Sequence, residues 1–130
     1  MDLIPYTVRL NEGKEYVIIK HKGDLTLSNL EMARNDIRLI LPLIGTNNIL
    51  VDVLTVNPLI AFVEFFTFIS KTKNQLPEDV RIAVLANRAK YKSHIEYVET
   101  LIRTNDIDMQ IFKKKDHAID WLLRKGIASV

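Results

Sequence analysis

Residues 49–54 read Ile49-Leu50-Val51-Asp52-Val53-Leu54, and the fold turns on this stretch. A short, nearly continuous apolar run rich in β-branched side chains suits a strand covered on both faces, as in the middle of a parallel sheet. Its flanks carry a different period. Upstream, Leu30, Ala33, Ile37, Ile40, Leu41 and Ile44 recur at helical spacing, with Arg34, Asn35 and Arg38 between them. Ser28 stands in the capping-box relation to Glu31, so a helix is expected to start there and to fray near Pro42. Downstream, Asn57-Pro58 pairs an N-cap residue with a first-turn proline, which predicts a second helix from Asn57 to about Lys73.

The pattern extends in both directions. Tyr6–Leu10 and Glu15–His21 are β-like runs separated by Asn11-Glu12-Gly13-Lys14, a hairpin turn in which Gly13 can take positive φ. Gly23-Asp24 breaks the chain before the first helix, and Gln75-Leu76-Pro77-Glu78 is a loop after the second. Arg81–Ala86 reads as a strand. Lys90–Thr104 reads as a helix with Tyr91, Ile95, Val98, Leu101 and Ile102 on one face. Met109–Phe112 is a short strand. Asp116 caps a last helix carrying Ala118, Ile119, Leu122 and Leu123, with Arg124 and Lys125 near its C-terminal dipole and Gly126 at C′. The order ββαβαβαβα predicts one α/β domain over residues 1–130. It is a three-layer fold with a five-stranded mixed sheet and four helices.

Composition narrows the chemistry. There is no cysteine, which excludes disulfides, thiolate nucleophiles and cysteine zinc sites and fits a reducing, cytoplasmic setting. The formal net charge of +2 is too small to argue for nucleic acid. The start, Met1-Asp2-Leu3-Ile4-Pro5, has no basic and apolar leader pattern. The most apolar stretch, Ile49–Ile69, is interrupted by Asp52, Asn57, Pro58 and Glu64, so no transmembrane segment is expected. His21, His94 and His117 lack partners at ligand spacing, so no metal or other cofactor is expected. No serine elbow, Walker loop or dinucleotide fingerprint is present, so no catalytic residues are assigned and no enzyme is expected. Lys113-Lys114-Lys115, followed by Asp116 and Asp120, reads as a solvated turn.

Several local features then carry a resemblance. They are Gly23-Asp24-Leu25-Thr26 before the first helix, the strand closed by Asp52, Arg81-Ile82-Ala83-Val84, and the ending Phe112…Ala118…Trp121-Leu122. Together they resemble the SpoIIAA-like (STAS) domains of bacterial anti-sigma-factor antagonists, with an ending similar to small CRAL-TRIO-like proteins. The resemblance implies a non-catalytic module acting through a protein partner or as a homodimer. The CRAL-TRIO likeness implies instead a carrier or sensor of a small apolar or anionic ligand, held between the sheet and the Phe-rich helix. Antagonists carry an Asp-Ser-Ser-Gly-like phosphorylated turn after the strand Asp. Residues 52–61 here contain no serine and no glycine, and their only hydroxyl is Thr55, so that switch does not carry over.

Two sets of candidate residues follow. Ligands of open parallel sheets bind outside the strand carboxyl ends, which offers Asp52, Thr55, Asn57, Asn87, Arg88 and Tyr91, with Arg88 able to hold an anion. On the second helix, Leu59, Phe62, Val63, Phe66 and Ile69 form the expected core stripe. Ile60, Ala61, Phe65 and Phe68 lie off it and are expected to be exposed as an interface.

Overall fold

The computed structural model describes residues 4–124. The chain opens with β1 (Tyr6–Leu10) and β2 (Val17–His21), antiparallel, with Tyr6 opposite His21 and Leu10 opposite Val17. Asn11 closes their turn by accepting hydrogen bonds from the Glu15 and Tyr16 N–H groups on its side-chain oxygen. The positive φ in this turn falls on Lys14, not on Gly13. There follow β3 (Asp24–Leu25), α1 (Leu27–Ile44), β4 (Asn48–Asp52), β5 (Asn57–Pro58), α2 (Phe62–Gln75) and β6 (Arg81–Leu85). The order ends with α3 (Lys92–Thr104), β7 (Met109–Phe112) and α4 (Lys115–Leu123).

The five-stranded sheet has the order β1-β2-β4-β6-β7 and is parallel apart from the β1–β2 ribbon. β4 lies at its centre, with Asn48–Asp52 in register with Arg81–Leu85. Side chains alternate across it. Val17, Ile19, Ile49 and Ile82 point to α1, where Ala33, Ile37 and Leu41 meet them. Ile18, Leu50, Ala83 and Leu85 point the other way, to Ala118 and Leu122 of α4. α3 joins the first face through Ile95 and Ile102 against Ala86 and Ile111. Helices therefore cover both faces, which is why the central strands are apolar on both sides. This is the SpoIIAA-like architecture that the element order predicts.

Several boundaries differ from those read off the sequence, each for a local reason. α1 is capped by Thr26, whose Oγ1 accepts from the Asn29 N–H at 3.2 Å, and not by Ser28. It runs through Pro42 to Ile44, since burial of Leu41 holds the last turn. It stops at Gly45, which takes the left-handed conformation at φ 76°. α3 starts at Lys92, after a turn in which Asn87 Oδ1 accepts from the Lys90 N–H. Asp116 sits in the first turn of α4, and Lys114 is the N-cap. Lys125 and Gly126 lie outside the described residues.

The largest difference concerns residues 53–61. Leu54 and Thr55 form a turn, and the residues from there to Ala61 are not helical. Asp52 Oδ1 accepts from the Leu54 N–H and turns the chain out of the sheet. Asn57-Pro58 then pairs in parallel with Asp24-Leu25, through Asn57 N–H to the Gly23 carbonyl and Leu59 N–H to the Leu25 carbonyl, each at 2.8 Å. Pro58 disfavours a helical Asn57, which suits the strand as well as the predicted cap. Val56 and Ile60 bury against Leu25 and fix the segment. α2 begins only at Phe62, where Glu64 reaches back to accept from the Ala61 N–H at 2.8 Å.

Among the described residues no helix is long and apolar enough to cross a membrane. Leu50→Ala, at a side chain 1% exposed, is expected to cost about 3 kcal/mol. Leu43→Ala, at one 82% exposed, should stay within about 0.5 kcal/mol. Urea unfolding of the two variants beside the parent checks both.

Candidate functional site

The two faces of the sheet are packed differently. On the α4 side, Ala83 and Ala118 are fully buried and let the helix close on the strands. On the other side α2 is held by its neighbours α1 and α3. The space beneath it is a cavity of about 170 Å3 between sheet and helices. Ile19, Ile49, Val51, Ile82, Val84 and Ile111 form its floor. Ile37, Phe65, Phe68, Ile69, Ile95 and Val98 form its walls and roof. Val53, Val56 and Pro58 of the 53–61 segment close one end. Of the lining residues only Asn87 is exposed, so the cavity comes nearest to solvent at the strand carboxyl ends, beside Tyr91 and His94.

α2 turns a face inward that the stripe reading assigned outward. Ile60 and Ile69 are buried, and Phe65 and Phe68 line the cavity. Leu59, Phe62, Val63 and Phe66 are instead about half exposed or more. Of the four expected interface residues, only Ala61 is exposed. Two stripes at helical spacing compete on this helix, and both contain Ile69. Arg34 on α1 engages the inward stripe. Its Nη1 donates to the Phe68 carbonyl at 2.7 Å and to Thr72 Oγ1 at 3.1 Å, and its guanidinium lies 4.3 Å from the Phe68 ring centre. At the other seam of α2, Phe62 stacks on Tyr97 at 4.8 Å and meets the edge of His94.

The strand-end residues divide. Asn87 and Tyr91 line the cavity. Asp52 is engaged with the Leu54 N–H, and Asn57 Nδ2 donates to Asp24 Oδ1 at 3.2 Å. Thr55 is exposed in the turn that follows β4. Arg88 is not free for an anion. It forms a two-pronged pair with Glu99, at 3.1 and 2.6 Å, which holds the Glu99 carboxyl below its ordinary range.

Two polar lining residues stand out that the sequence patterns passed over. His21, only 2% exposed, has an Nδ1 without a hydrogen-bond partner among the described residues. Burial pulls its pKa down to about 4, so the ring is neutral near pH 7. Arg34, 9% exposed, forms no ion pair among the described residues. Its burial lowers its pKa, partly offset by Glu31 one turn away. Arg34 sits at a helical position that sequence pattern assigns to a polar flank. His21 ends a strand whose face alternation, Val17-Ile19-His21, was the one available signal that it points inward. Among the described residues no cluster of three His, Cys, Asp or Glu could hold a metal ion.

No family model and no curated protein matches the sequence. Solved structures do match the fold. An anti-sigma factor antagonist from Mycobacterium paratuberculosis superposes with a TM-score of 0.64 at 14% identity, covering 91% of this chain and 92% of that one. An uncharacterized protein of the DUF3478 family with a SpoIIAA-like fold, from Shewanella loihica PV-4, gives 0.60 at 16% identity, covering 90% and 91%. The anti-sigma factor antagonist SpoIIAA in its unphosphorylated form gives 0.58 at 13% identity, covering 91% and 97%. At these identities the likeness is one of fold.

The His21 environment has a consequence for pH. Its proton is bound more weakly in the folded state than in the unfolded chain, where the pKa is about 6.5. Acid therefore favours unfolding: full stability holds above about pH 6.5 and declines as pH falls towards the folded pKa of about 4. Between about pH 7 and pH 5 the loss should be on the order of 2 kcal/mol. His21→Phe should flatten that slope, as read from urea midpoints at the two pH values. Parallel slopes for parent and variant would refute the assignment.

Proposed function

We propose that the chain is a non-catalytic binding module that carries or senses a small ligand with an apolar body, held in the cavity beneath α2. The cavity itself carries this reading. Protein interiors close on themselves to crystal-like density, and large voids are few. A cavity of about 170 Å3 lined by Ile, Val, Leu and Phe exceeds an engineered apolar cavity of roughly 150 Å3 that binds benzene. The resemblance of the chain's ending to CRAL-TRIO-like proteins points the same way. The lining hydroxyl of Thr72 is engaged with Arg34 and the Phe68 carbonyl, which leaves it unsuited to act as a nucleophile.

One further observation favours a second reading, a module acting through protein contact or as a homodimer. Leu59, Phe62, Val63 and Phe66 form a continuous outward apolar strip at the start of α2. Two of the solved structures that share this fold are of anti-sigma factor antagonists. The two readings are compatible, because the strip lies on the outer side of the helix that roofs the cavity.

Toluene titrated into labelled protein should shift amide signals of the lining residues and leave those of α4 unmoved. Ala33→Leu, which adds carbon to the cavity wall, should keep the fold and abolish those shifts. An unchanged spectrum at saturating toluene would overturn the cavity reading. For the second reading, light scattering of the concentrated parent should show a dimer that Phe66→Glu converts to monomer.

A further inference from the structure

Charged side chains are almost never buried without a partner, because removal from water costs several kcal/mol per ion. Three other arginines have carboxylate partners. Arg88 faces Glu99, Arg81 lies 3.3 Å from Asp108, and Arg124 lies 3.0 Å from Asp120. Arg34 is more buried than Arg88 or Arg124 and has no carboxylate within ion-pair distance among the described residues, Glu31 acting on it only from one turn away. Only its Nη1 is engaged, by a carbonyl and a hydroxyl. The rest of the guanidinium fork retains donors in the geometry that matches a carboxylate. It stands in the wall of a cavity lined mainly by apolar side chains. His21, 2% exposed and with an Nδ1 that has no hydrogen-bond partner among the described residues, lines the same cavity.

Resting on the ligand-binding reading above, we propose that the cavity takes a small monocarboxylic acid with an apolar body, its carboxylate paired with Arg34. The cavity size suits a single aromatic ring or a chain of about six to eight carbons. The apolar part occupies the space among Ile49, Val84, Phe65 and Ile95, where burial drives binding. The carboxylate supplies the charge that Arg34 lacks and fixes the orientation. Because Arg34 also bonds Phe68 and Thr72, an occupied site ties α1, the ligand and the roof helix into one network.

Matched pairs of probes test this by calorimetry on the full chain. Phenylacetate is set against toluene, and hexanoate against hexane-1-ol, so that the aromatic and aliphatic sources of the same chemistry are read separately. The parent should bind at least one acid about tenfold or more tighter than its neutral match. Arg34→Met, folded by circular dichroism, should lose that preference, and Arg34→Lys should retain part of it. Equal affinity for acid and neutral match in the parent would overturn the proposal while leaving the cavity reading intact. Binding of none of the four probes would overturn both. The parent comparison needs no variant, so a misfolded Arg34→Met leaves the test decisive.

Discussion

The contact of Arg34 with α2 governs much of this structure. A cation on α1 reaches across to a carbonyl, a hydroxyl and an aromatic ring on the neighbouring helix. Each contact has ordinary strength alone, and together they tie α1 to the inward face of α2. Once Phe68 and Thr72 are turned inward, Phe62, Val63 and Phe66 must turn outward. The roofed cavity and the exposed strip are thus two results of one helix phase.

A second constraint acts just before that helix. Because Asn57-Pro58 pairs with Asp24-Leu25, residues 53–61 cross the strand ends without forming a helix. The segment closes one end of the cavity with Val53, Val56 and Pro58. It is a wall built from β-branched residues and a proline.

The asymmetry of the two faces gives the functional reading its physical content. Alanine opposite alanine draws α4 onto the sheet, whereas α2 is suspended between α1 and α3. A helix held by its sides can roof a space without filling it. The lining is apolar except for a few groups, among them the buried His21, a neutral imidazole, and Arg34, a cation with no salt bridge among the described residues. An apolar body with one anionic end is the chemistry that complements them.

Sequence by itself determined the order of the helices and of the strands in the five-stranded sheet, and the central buried strand at Ile49–Asp52. These follow from local period and turn chemistry, which need no knowledge of distant neighbours. It also pointed to the strand carboxyl ends, and Asn87 and Tyr91 do line the cavity there. Only the tertiary structure decided which stripe of α2 faces inward, since Phe62-Phe66-Ile69 and Phe65-Phe68-Ile69-Thr72 satisfy the helical period equally well. It alone placed Glu99 on Arg88 and left Arg34 without a carboxylate within ion-pair distance among the described residues. Ion pairing and burial depend on residues brought together from separate elements, and no spacing along one helix records which cation finds a partner.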